Sequence, residues 1–184
     1  VRFMMNKIEK LRLLVITIII SMLMACSVIN VQKDVALPTS EKWIVLPFQN
    51  YSQTPRAGEQ AEGIVATLLR IRGLNGIETY QPHAESNEWS ELNDRKQQEN
   101  ALLKARNNSY IYAVTGSVDE WQYKLGVGSE PAVGLTLRII EIASGKIVWS
   151  ASGARSGWST ESVNSTAQKL LKELISDLNI KRAS

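Results

Sequence analysis

From Tyr110 to Gly157 apolar and polar residues alternate with a period near two, the signature of strands that bury one face. Tyr110 to Tyr123 is rich in β-branched and aromatic residues, which suit a pleated, half-buried surface. Gly126 to Pro131 is a turn cluster, with glycines for positive φ and a proline expected to stop pairing. Between Ala132 and Ala143, Val133, Leu135, Leu137 and Ile139 share one face, and Thr136 and Arg138 take the other. Ser144-Gly145-Lys146 predicts a second tight turn. Ile147, Trp149 and Ala151 carry the alternation into a third strand. Together these strands form an antiparallel meander that helices must cover on one face.

Elsewhere the apolar period lengthens towards 3.6. Ala61, Ile64, Val65, Leu68 and Leu69 line one side of a predicted helix from Ala57 to Arg72, ended by Gly73. A more polar helix is expected from Leu92 to Arg106, with Asn107 and Asn108 as its left-handed stop. Ser159 is placed to cap a last helix that reaches about Leu178 and is buried through Val163, Ala167, Leu170, Leu171 and Leu174. Trp43 to Phe48 is a continuously apolar strand, expected to be central, with Pro47 ending its pairing. Gly76 to Tyr80 is a short second strand. The predicted order is β-α-β-α-β-β-β-α, a single α+β domain over residues 42–184 with a mixed sheet, its long antiparallel meander packed by helices.

Residues 1–25 differ in kind. Lys7, Lys10 and Arg12 precede an aliphatic run that ends at Ala25, too short for a membrane span of ~20 residues. This is the pattern of a secretion signal, competing with a membrane anchor or a buried helix. Leu23-Met24-Ala25-Cys26 resembles the bacterial lipobox, in which the cysteine thiol is alkylated by a lipid and the signal is cut just before it. Several acyl chains on Cys26 would give stable anchoring, palmitate being one expected chain. Ser27 rather than aspartate follows Cys26, which resembles the pattern of outer-membrane destination. Residues 26–41 are then an acylated N-terminus and flexible tether. Cys26 is the single cysteine, so no intrachain disulfide can form.

Charge changes the picture only by its location. Of 21 basic and 18 acidic side chains, four and one lie in residues 1–25, which leaves 17 of each. The net charge of +3 therefore belongs to the targeting segment and gives no ground for nucleic-acid binding.

Candidate chemistry is sparse. His83 stands in a loop beside Pro82, without cysteines or spaced carboxylates to form a metal site. No serine sits in a nucleophile elbow, and Gly126-Val127-Gly128 suits a hairpin turn better than a phosphate cradle. Asn50-Tyr51-Ser52 and Asn107-Asn108-Ser109 match a glycosylation sequon that bacteria rarely use. The chain is expected to be no enzyme and to use no cofactor or metal. Asp119 with Glu120, and Glu85, Glu88 and Glu91, are either solvated surface or an acidic patch for a cation or polycation. Trp158 and Val163 have the spacing of a hydrophobic staple around a Ser159 cap; the alternative is an indole at a membrane interface. Trp149, mid-strand, is expected in the core.

Several stretches carry a family resemblance. Trp43-Ile-Val-Leu-Pro-Phe-Gln-Asn-Tyr-Ser52 with Ala57-Gly-Glu59, Val114-Thr-Gly-Ser-Val118, and Gly134-Leu-Thr-Leu-Arg138 with Ser144-Gly-Lys-Ile-Val-Trp-Ser150 resemble the lipoproteins related to the curli secretion protein CsgG. Within that group the chain is most similar to the PelC family of outer-membrane lipoproteins, over roughly residues 42–178 and the lipobox. The resemblance implies a homo-oligomeric ring, lipid-anchored at the periplasmic face of the outer membrane. It implies an acidic surface that guides a cationic exopolysaccharide of biofilms towards a PelB-type barrel. It also implies membrane contact by an aromatic residue near the last helix, by position Trp158. It does not extend to a self-made pore, because no long alternating hairpins remain unassigned. One rival is an outer-membrane activator of a peptidoglycan synthase, which needs a long tether; residues 27–41 could extend only ~50 Å. The others are another CsgG-like secretion component and a polymer hydrolase, which would need two carboxylates facing one cleft.

Overall fold

The computed structural model describes residues 27–31, 36–81, 91–124 and 129–181, with isolated positions 9, 12, 13 and 15. The strands are β1 (Ser27–Val31), β2 (Ala36–Pro38), β3 (Trp43–Val45), β4 (Gln49–Asn50), β5 (Glu78–Thr79), β6 (Tyr112–Lys124), β7 (Glu130–Glu141), β8 (Lys146–Ser156) and β9 (Asn179–Lys181). The helices are α1 (Ala57–Ile71), α2 (Glu91–Asn107) and α3 (Val163–Ser176). One mixed sheet runs in the order β1-β8-β7-β6-β3-β5, with β4 also on β6; β2 and β9 form a small parallel pair. The predicted α+β meander is present: β6, β7 and β8 are antiparallel neighbours.

Helices α1 and α3 cover one face. Val114, Val118, Val133, Leu135, Leu137, Ile139 and Trp149 project from the strands into a core closed by Val65, Leu69, Leu170, Leu171 and Leu174. Burying each such side chain contributes about 1.5–3 kcal/mol. On the other face α2 packs through Ala101 and Ala105 against Ile44, Leu46, Ala113 and Ile142. It stops there, so the middle of β7, β8 and β1 carries no described helix on that side.

Helix ends differ from expectation in two places. Gly73 (φ 105) does end α1, and the Leu74 amide donates to the Leu69 carbonyl. Helix α2 closes the same way, but its left-handed residue is Ser109 (φ 58) rather than Asn107 or Asn108. Tyr110 then donates its amide to Ala105, and Asn108 contributes a side-chain bond to the Lys104 carbonyl. At α3 the cap is Ser162, whose hydroxyl accepts from the Ser165 amide, not Ser159. Residues 158–161 are a separate turn, closed by the Glu161 amide donating to the Trp158 carbonyl. With the start moved to Val163, Trp158 and Val163 no longer hold the staple positions.

Three other expectations shift. Within residues 26–41, the expected tether, 27–31 and 36–38 are strands: Ile29 and Val31 pack on the core and Leu37 is buried within it. The physical reason is available edge: β1 satisfies the free backbone groups of β8. Pro131 does not stop pairing, since it stands opposite Tyr123 and accepts from the Gly157 amide. The register irregularity at Ile139/Ile140 leaves Ile147 half exposed, although Trp149 and Ala151 are buried as expected. Pro47 ends β3 as predicted, and β4 resumes pairing to β6 beyond it. The predicted turn at Gly126-Val127-Gly128 and the loop residue His83 lie outside the described residues.

Candidate functional site

Two places in the fold gather the residues singled out above. The first is the end of the sheet at the C-termini of β6 and β8. Ser27, which follows Cys26 in the chain, pairs with Arg155 at this end. Trp158 lies three residues beyond Arg155 and is half exposed, as is Tyr123 at the end of β6. Glu161 pins the turn between them. Its carbonyl accepts from the Tyr123 hydroxyl at 3.3 Å, and its carboxylate accepts from Lys169 at 2.7 Å. That ammonium hydrogen bond holds the Glu161 carboxyl below the usual range. The turn is therefore held by its polar atoms, while both aromatic faces remain free to meet an apolar or interfacial environment.

The second place is the middle of β6. A bulge between Val118 and Glu120 interrupts the alternation and turns Asp119 and Glu120 towards the same region, over Gly134. A Cβ at Gly134 would lie 3.5 Å from that of Glu120 and 3.8 Å from that of Asp119, in ordinary van der Waals contact with both. The two acids are unequal. Glu120 is 3.6 Å from Lys124 and accepts from Gln122. Asp119 is exposed and, among the described residues, accepts only from the Ser117 and Thr136 hydroxyls, at 3.2 and 3.5 Å. Glu85 and Glu88 lie outside the described residues; Glu91 begins α2, and its side chain is likewise outside them. The acidic surface that the structure brings together is thus Asp119 with Glu120.

Beside this bulge runs a network of amides and hydroxyls that local pattern did not reveal. The Tyr51 hydroxyl donates to Gln49, Gln49 donates to Gln98 of α2 at 3.1 Å, and Gln98 donates to Thr115 at 2.6 Å and to the Pro47 carbonyl at 3.2 Å. Gln98 sits between Glu99 and Gln97 on a helix with almost no apolar face, so nothing in its neighbourhood marks it. Only its contact across 51 residues with Pro47 does.

Among the described residues no group of His, Cys, Asp and Glu could hold a metal ion, and no helix is long and apolar enough to cross a membrane.

The architecture defines an α+β domain of the kind seen in lipoprotein GNA1162 from Neisseria meningitidis, with a TM-score of 0.50 and 17% identity over 74% of this chain and 96% of that one. A PelC dodecamer from Paraburkholderia phytofirmans is more similar, with a TM-score of 0.71 and 33% identity over 85% of this chain and 99% of that one. A variant dodecamer of the same protein matches equally, over 100% of its chain. The chain belongs to the PelC family. No protein-family model and no curated protein sequence matches it.

Proposed function

We propose that this chain is a non-enzymatic component of Pel-type exopolysaccharide export, anchored by lipid on Cys26 at the periplasmic face of the outer membrane. It assembles as a ring of identical subunits and guides a cationic polymer towards a PelB-type barrel. The observation that carries this is the 33% identity to a PelC dodecamer over 99% of that subunit. Two features of the fold support it. Pairing of Ser27 with Arg155 brings the chain just after Cys26 to the end that bears Trp158 and Tyr123, so lipid and exposed aromatics would meet the membrane together. Asp119, exposed and without a counter-ion among the described residues, supplies negative charge in a mature chain that is formally neutral. Repeated around a ring, that charge adds to the field in the opening, within a screening length of ~8–10 Å.

Activation of a peptidoglycan synthase fits less well, because β1 and β2 occupy half of residues 26–41, the segment that a long tether would need. The deciding experiment is secretion of the polymer in cells that lack the gene, complemented by Cys26→Ser or Asp119→Lys. Both variants are expected to express stably and to lower export. Full export in the deletion strain would remove the proposal.

A further inference from the structure

On the sheet face away from α1 and α3, the registers bring five hydrogen-bonding side chains into one transverse row. Gln49 pairs with Ser117, Ser117 with Thr136, Thr136 with Ser152, and Ser152 with Asn30. The row crosses β4, β6, β7, β8 and β1; four strand spacings make it about 19 Å long. Its two halves differ. Gln49 and Ser117 are engaged by Gln98 and Asp119. The side chains of Ser152 and Asn30, and of Arg138 and Ser150 in the adjacent row, make no hydrogen bond among the described residues. They line a shallow cavity of ≈ 390 Å³ together with Thr136.

A sheet face kept for an obligate protein neighbour is expected to be apolar at its centre. This one presents hydroxyls, an amide and a guanidinium, and Asp119 accepts a hydrogen bond from Thr136 at the middle of the row. We infer that the row is a contact site for a saccharide chain laid across the strands. Hydroxyls and amides both donate and accept, which matches sugar hydroxyl groups. Arg138 supplies donors for a ring or acetamido oxygen, and Asp119 accepts from a sugar ammonium. The inference rests on the export reading for the source of the ligand, and adds to it recognition of the sugar itself beyond its charge.

The test uses full-length acylated protein in detergent micelles. Its probes are a glucosamine hexamer, the fully N-acetylated hexamer and a lysine hexapeptide, titrated by calorimetry. The wild-type protein is expected to bind both sugars more tightly than the peptide. Thr136→Val with Ser152→Ala is expected to weaken both sugars at least tenfold and leave the peptide unchanged. Arg138→Gln, a second variant with little effect on folding, is expected to weaken the acetylated hexamer more than the other. Unchanged sugar affinity in the variants overturns the inference, as does equal binding of the lysine peptide. Dissociation of the assembly on sedimentation would also overturn it, since the face would then belong to contacts between copies. Loss of secretion in the deletion strain without sugar binding would leave the export reading standing alone. Sugar binding with unimpaired secretion would leave only the row.

Discussion

The two faces of the central sheet come from the same alternating strands yet do different work. On the helix-covered face, Leu137, Ile139 and Trp149 are about 1% exposed and packed by Leu170, Leu171 and Leu174. On the other face, their neighbours Thr136, Arg138, Ser150 and Ser152 are only partly buried, and no described helix packs over them. The period of two assigns residues to faces but is blind to what covers each face. Over the middle of β7 and β8, only the covered face carries much of the folding free energy; on the other face the buried cluster is confined to the α2 end. The open face is free to vary without unfolding the protein, which is the condition for a binding surface.

This contrast can be broken at several points, the largest effect being in the covered face. Leu171→Ala is expected to cost about 2–5 kcal/mol in urea unfolding, because a fully buried leucine leaves a cavity. A loss below 1 kcal/mol would mean that α3 is only loosely docked. Arg72 comes next. Its guanidinium donates to the carbonyls of Ile175 at 3.0 Å, Ser176 at 2.8 Å and Leu178 at 2.5 Å, tying the end of α1 to the C-terminus of α3. Arg72→Ala should cost about 1–3 kcal/mol by the same measurement, since charged donors at a helix C-terminus are lost.

A pH effect tests the α2 side. Burial, and then the hydrogen bond to Glu78, push the Tyr110 hydroxyl up from 10.0 to about 12. In the unfolded chain the proton leaves near pH 10; in the folded chain it stays to about pH 12. The folded state thus holds more protons between these values, and its stability falls as pH rises across that window. Below pH 10 the contribution is intact. Thermal melts from pH 9 to 12 should show this slope, flattened in Tyr110→Phe.

The smallest stability effects are expected at the exposed sites. Trp158→Ala should change the melting free energy of the protein by only ~0.5 kcal/mol, because the indole is half exposed and no longer in a staple position. The same variant should reduce flotation of the protein with lipid vesicles and polymer export. Thr136→Val with Ser152→Ala should likewise stay within ~0.5 kcal/mol. A loss of several kcal/mol for the Thr136 and Ser152 pair would show that the open face is structural and erase the contrast; the same loss for Trp158→Ala would make that indole structural.

Much of this molecule was written into local sequence. The meander, the three helices, Gly73 as the stop of α1 and the buried Trp149 follow from periods of two and 3.6 residues and from glycine's tolerance of positive φ, all set within one or two turns of chain. PelC-family membership was legible too, because its motifs sit on those same elements. Other features needed tertiary structure. Ser27–Val31 lacks strict alternation, since Val28 and Ile29 are both apolar, and it becomes a strand because β8 offers an unpaired edge. Sequence placed the cap of α3 at Ser159, whereas the helix begins at Val163 with Ser162 as its cap, a start set by where the helix docks. The acids of β6 were visible, but not the bulge that turns Asp119 and Glu120 over Gly134. Nor could spacing reveal that Ser27 and Trp158 share one end, or that Gln98 reaches Pro47. These are contacts between residues far apart in the chain, and local periodicity carries no information about pairs that only folding brings together.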